Sequence, residues 1–230
     1  MRLSASYTKV GRKFTVVIPF LVVIFFASSS ISAQIKMELP DNIDTSASYL
    51  FFLHNYYVET NGPDGDCKYD DILKAFSDHN YVVVSEVRSG KIVPCTYAKK
   101  VVELIENLTN SGVPPENIIV AGHSKGAVIA LCVSAQLANP KINYIIMAGC
   151  EIAGIQKYKL YPDFKNLKGR ILSIYADSDK VAGSCEKSFS ESTDGIVYSE
   201  ISLKSASGHR LFFKPEDIWI TPIMKWITGG

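Results

Sequence analysis

Between Tyr49 and Leu203, six short runs rich in β-branched and aromatic residues alternate with stretches of helical periodicity. No other feature of the sequence constrains the fold as much. The runs are Tyr49–Leu53, Tyr81–Val84, Asn117–Ala121, Ile142–Met147, Arg170–Tyr175 and Ile196–Leu203. Between them, Tyr69, Ile72, Leu73 and Phe76 mark one amphipathic helix, and Tyr97, Val101, Leu104, Ile105 and Leu108 mark a second. A third, from about Lys125 to Ala138, is apolar nearly all round, as a helix against the middle of a sheet must be. A last helix follows Pro215, where proline and two acidic residues suit a helix start. Strand and helix alternating in this way predict an α/β fold, a mainly parallel, doubly wound sheet with helices on both faces.

Internal repeats, low-complexity tracts and interdomain linkers are not evident, so one domain is expected. A chain of this size and 47% hydrophobic content can bury one core without metal or disulfide staples.

The first 33 residues read differently. Met1–Lys13 is polar and basic, Phe14–Ala27 is mostly apolar, and Ser28–Ala33 is small and weakly polar. This is the layout of a secretory signal peptide, with cleavage expected after Ala33 and a mature domain of residues 34–230. As a helix the apolar run would span about 21 Å at ~1.5 Å per residue. That is short of a ~30 Å hydrocarbon core, so no stable membrane span is expected once the leader is cleaved. An uncleaved leader would instead tether the domain. A secreted or periplasmic location follows, where the five cysteines, Cys67, Cys95, Cys132, Cys150 and Cys185, can be oxidised. They form no CxxC pair, and no histidine spacing suits zinc, so neither a metal nor another cofactor is implied. The leader carries only basic charges, leaving the rest of the chain with 23 acidic against 20 basic residues. Nucleic acid is therefore not an expected partner.

The stretch Asn117-Ile-Ile-Val-Ala-Gly-His-Ser-Lys-Gly-Ala-Val-Ile-Ala-Leu reads as a buried strand, a sharp turn and a buried helix. It places Gly-x-Ser-x-Gly, Gly122 to Gly126, in the context this motif requires. There the turn lifts the Ser124 hydroxyl clear of the sheet, the glycines remove side chains that would collide, and the helix N-terminus favours developing negative charge. A hydroxyl is a poor nucleophile without a base, and the base needs an orienting acid. Of the four histidines, His209 lies in the loop between the last strand and the last helix, where it can reach back over the sheet's edge. His79 ends a helix at the surface, His54 closes the first strand, and His123 is in the turn itself, where steric fit or a structural hydrogen bond is expected. For the acid, Asp179 lies farther into the loop toward His209 than Asp177, which remains the alternative. Oligomeric state is not encoded.

The order Ser124, Asp179, His209 resembles that of the α/β-hydrolases. Gly122–Gly126, the Asp179-Lys-Val turn, Gly208-His209 and the strand ending Phe51-Phe-Leu-His54 carry the likeness, which covers the domain from about Tyr49 onward. The whole chain is also similar to small exported hydrolase-like proteins. The resemblance implies an oxyanion hole made by the Lys125 amide and one from Asn55 or Tyr56, with Asn55 standing where the family commonly has glycine. It also implies a minimal version of the fold. Too few residues precede Tyr49 for the usual first two strands, and only about twenty separate the fourth and fifth runs, too few for a helical lid. Tyr56, Tyr57, Tyr158 and Tyr161 are candidates to line the open site. From the family's strand order come two expected disulfides, Cys67–Cys95 and Cys150–Cys185, with Cys132 as a buried apolar thiol.

The function expected is hydrolysis of a carboxylic ester, small or polymeric, through an acyl-enzyme. A peptidase or thioesterase would use the same residues, and a non-catalytic binding protein on the same fold is the other class.

Overall fold

The computed structural model describes residues 37–192 and 196–229; the leader expected over residues 1–33 lies outside them. Six strands, β1 (Ser48–Leu53), β2 (Tyr81–Ser85), β3 (Ile118–His123), β4 (Asn143–Met147), β5 (Gly169–Ala176) and β6 (Ile196–Leu203), form one sheet in the order β2-β1-β3-β4-β5-β6. Every neighbouring pair is parallel. All six strands coincide with the runs read from the sequence, each boundary within two residues. The expected long helices are present as α2 (Tyr69–Asp78), α3 (Pro94–Asn110), α4 (Lys125–Leu137) and α7 (Asp217–Ile227). Three short helices, α1 (Tyr56–Asn61), α5 (Ala153–Lys157) and α6 (Glu186–Phe189), were not legible as such.

Side chains alternate across a strand, so a sheet covered on both faces yields two cores. Tyr49, Phe51 and Leu53 point to one face, with Val120, Tyr144 and Ile171 and under α3 and α4. Leu50 and Phe52 point to the other, with Ile119, Ile145 and Leu172, Phe76 of α2 and Trp219 of α7. β1 and β3 sit mid-sheet and are buried on both sides, which is why their sequences are apolar without alternation. Between β4 and β5 the chain forms only α5 and a 3-10 turn at Phe164–Asn166, and no larger lid. Among the described residues, no helix is long and apolar enough to cross a membrane.

Two disulfides are formed, Cys150–Cys185 as expected and Cys95–Cys132 in place of Cys67–Cys95. Strand adjacency misled because it ignores the face. Cys67 packs in the core under α2, whereas Cys95 opens α3 and meets Cys132 of α4 across the other core. Cys132 is thus bridged rather than an apolar thiol, and Cys67 is the free, buried cysteine. Non-reducing peptide mapping is expected to recover Cys95–Cys132 and Cys150–Cys185 cross-links, with Cys67 alkylated only after denaturation. Recovery of a Cys67–Cys95 peptide would contradict the arrangement.

Candidate active site

The site lies at the C-terminal edge of the sheet, where β3 turns into α4. Gly122 and Gly126 are obligatory there for steric reasons. A Cβ at Gly122 would strike the Gly126 carbonyl, and one at Gly126 would strike the Leu53 carbonyl of β1. Between them Ser124 adopts φ 56° and ψ −117°, a region that non-glycine residues rarely occupy, and its amide is fixed to the Met147 carbonyl at 2.9 Å. This strain aims the hydroxyl away from the sheet.

Two further loops converge on it. Past β5, Asp179 has a fully buried side chain, and its Oδ1 accepts the amides of Val181 at 2.7 Å and Ala182 at 3.1 Å. Past β6, a 3-10 segment, Gly208–Phe213, carries His209. The His209 Nδ1 lies 2.9 Å from Asp179 Oδ2, and its Nε2 lies 2.8 Å from Ser124 Oγ. A proton on Nδ1, held by the carboxylate, leaves Nε2 free to accept the serine hydroxyl. Asp177 is directed elsewhere, its Oδ1 accepting the Ser205 amide at 3.2 Å. The Ser178 hydroxyl donates to the Ser205 carbonyl and ties the loop of Asp179 to the loop of His209.

The segment from Asn55 onward is helix α1, capped by Asn55, whose Oδ1 accepts the Val58 amide at 2.9 Å. Tyr56 and Lys125 are each the first residue of a helix, and first-turn amides lack intrahelical acceptors. Sequence reasoning missed Glu59. Its carboxylate is buried and receives Lys125 Nζ at 2.7 Å, tying α1 to α4. A polar residue in so short a helix gives no periodic signal.

These residues border a cleft of about 500 Å³. Its walls are largely apolar, from Tyr57, Ile92, Ile155, Tyr158, Leu160 and Phe213, with Tyr56 at the rim. Tyr161, the fourth candidate, turns away and donates to the Gly149 carbonyl at 2.8 Å. Among the described residues, no cluster of three or more His, Cys, Asp or Glu side chains could hold a metal ion.

Residues 90–205, half of the chain, match the family described as Phospholipase/Carboxylesterase. The chain belongs to that family. The match takes in Ser124 and Asp179 and stops short of His209. Solved structures agree on the α/β-hydrolase fold. Est1E from Butyrivibrio proteoclasticus is 10% identical at a TM-score of 0.55, over 83% of this chain and 92% of that one. SOBER1 from Arabidopsis thaliana is 15% identical at 0.55, over 80% and 99%. An acetyl xylan esterase from Paenibacillus sp. R4 is 11% identical at 0.53, over 80% and 74%. A comparison with curated protein sequences finds no match.

The other histidines support the site's backbone or lie apart from it. His79 is at the surface, its Nδ1 bonded to the Ala75 carbonyl. His54 is buried, accepts the Arg88 amide on Nε2 at 2.7 Å and donates from Nδ1 to the Asn55 carbonyl at 2.8 Å. Desolvation, then the Arg88 charge, lower its pKa from 6.5 to about 3. The unfolded chain therefore binds more protons than the native one between those values, so stability falls as pH drops from about 6.5 toward 3. Urea titrations at pH 7.5 and 5 should differ by on the order of 2 kcal/mol or more, since each pKa unit corresponds to ~1.4 kcal/mol and His123, also held well below its usual pKa by burial, adds in the same direction. Equal stability at both would contradict a buried neutral His54.

Proposed function

We propose that this chain is an exported serine hydrolase that cleaves carboxylic esters through Ser124, His209 and Asp179. The observation that carries this reading is the bridging imidazole, 2.8 Å from the serine oxygen and 2.9 Å from a buried carboxylate, at the mouth of an apolar cleft. Ser124 Oγ attacks the carbonyl carbon while His209 Nε2 takes its proton. Asp179 holds the Nδ1–H and stabilises the imidazolium as it forms. The negative charge on the tetrahedral oxygen falls to the Lys125 amide and, as second donor, the Tyr56 amide. Asn55 supports that loop by capping it. Collapse of the intermediate returns the proton to the leaving alcohol, and water repeats the cycle on the acyl-enzyme.

The apolar lining favours a neutral acyl or aryl group, and the Lys125–Glu59 pair cancels the charge beside it. Est1E, which shares the fold, has been solved with ferulic acid bound. An aromatic acyl group is also what Tyr57, Tyr158 and Phe213 suit by stacking. Export is part of the proposal: cleavage after Ala33 delivers residues 34–230 to a compartment in which the two disulfides persist.

The test is labelling of the mature protein with a fluorophosphonate, with the adduct mapped by mass spectrometry. We expect one adduct, on Ser124, a mature terminus at Gln34, and a labelling rate lowered at least ~10³-fold in folded His209→Ala, since triad members act as a unit. Folded protein with no serine adduct would refute the reading and point to a non-catalytic binding role.

A further inference from the structure

A second histidine lies beside the first and takes no part in the proposed proton transfers. His123 closes β3, is 1% exposed, and its ring centroid is 5.0 Å from that of His209. Its hydrogen bonds can be assigned from the neighbouring amide. Asn55 accepts the Val58 amide with Oδ1, so the atom facing His123 Nδ1 at 2.9 Å is Nδ2, which can only donate. The His123 Nδ1 is therefore the bare nitrogen, and Nε2 carries the hydrogen. That hydrogen is donated to the backbone carbonyl of His209, 3.1 Å away. Burial, and then the charge on His209, hold His123 well below its usual pKa, which keeps the ring in this neutral form.

The bond to His209 is the one side-chain hydrogen bond to the backbone of residues 208–210 among the described residues. The other ties are made by the stretch's own side chains, His209 to Asp179 and Ser124 and the exposed Arg210 to Asp66. Gly208, at φ 53°, gives the segment a sharp entry.

We propose that Asn55 and His123 are positioning residues for ester hydrolysis, a hydrogen-bonded relay from the α1 cap through the nucleophile turn to the backbone of His209 that fixes the imidazole over Ser124. The relay rests on the reading of Ser124 as nucleophile. It links the three loops that supply the second oxyanion donor, the nucleophile and the base, so a shift in one is resisted by the others. Near-attack geometry tolerates little error: a ~1 Å misplacement can cost ~10²-fold in rate.

His123→Phe removes both hydrogen bonds while keeping a ring to pack against Phe212 and Phe213, at 5.2 and 5.9 Å. His123→Gln restores a donor near the position of Nε2. With p-nitrophenyl butyrate, His123→Phe should lower kcat by ~10²-fold with KM within ~3-fold, and slow fluorophosphonate labelling of Ser124 in parallel. His123→Gln should recover at least ~10-fold of that loss, which a merely space-filling role for His123 would not allow. Wild-type kcat and labelling in folded His123→Phe, or no recovery in folded His123→Gln, would overturn the relay. Should His123→Phe fail to fold, Asn55→Ser decides, because serine still caps α1 but does not reach His123. A ~5–10-fold loss of kcat at unchanged KM supports the relay, and an unchanged kcat refutes it. Absence of labelling in the wild-type protein would instead refute the nucleophile itself, so the two failures are distinguishable.

Discussion

The rest of this structure depends on how closely α4 approaches β1 beneath the turn at Ser124. Backbone meets backbone there, with the Gly126 position lying against the Leu53 carbonyl and Gly122 against the Gly126 carbonyl. That approach forces the chain from β3 into α4 through a positive φ at Ser124, which raises the hydroxyl above the sheet edge. It also sets the first amide of α4 beside the loop leaving β1. A side chain at either glycine would push α4 off the sheet, and there is only backbone to give way. The strain at Ser124, of order 1–3 kcal/mol, persists because the flanking strand and the helix from Gly126 to Ser134 are buried.

Around that point the site is assembled by polar contacts among loops that come from separate strands. The Asp179 loop is fixed by two backbone amides on Asp179 and by the Cys150–Cys185 bridge a few residues on. The His209 loop is held to it through Ser178 and to the Ser124 turn through His123. The α1 segment is held by its Asn55 cap and by Glu59 reaching Lys125. Breaking a buried ion pair of this kind by removing one partner is costly, because it leaves the other charge uncompensated. The Lys125–Glu59 pair therefore holds α1 to α4 and leaves no uncompensated charge beside the apolar cleft.

Much of this was legible in the sequence, for physical reasons that differ by element. The strands stood out because burial on both faces makes a short run continuously apolar, and α2 and α3 because one buried face imposes a period near 3.6. The turn was legible because only glycine fits at two of its positions. The short helices α1, α5 and α6 were not, since four to six residues carry too little periodicity. Asn55, a favoured N-cap residue, is the available signal for α1, a cue that its place as a candidate oxyanion donor obscures. Strand order alone pairs Cys67 with Cys95, but the two lie on opposite faces of the sheet. Tyr161 looked like a lining residue by its place in the chain, and only the course of residues 149–161 shows it anchoring the wall from behind.

Trapping the acyl-enzyme interrogates the proposed Ser124 nucleophile at the reacting atom itself. Mixing the protein with p-nitrophenyl butyrate, quenching in acid within the first turnover and mapping the modified peptide reads the intermediate itself. One butyryl group per chain is expected, on Ser124, formed with a matching burst of p-nitrophenol. Product release with no acylated Ser124, or acyl groups found only on lysine or tyrosine, would contradict it.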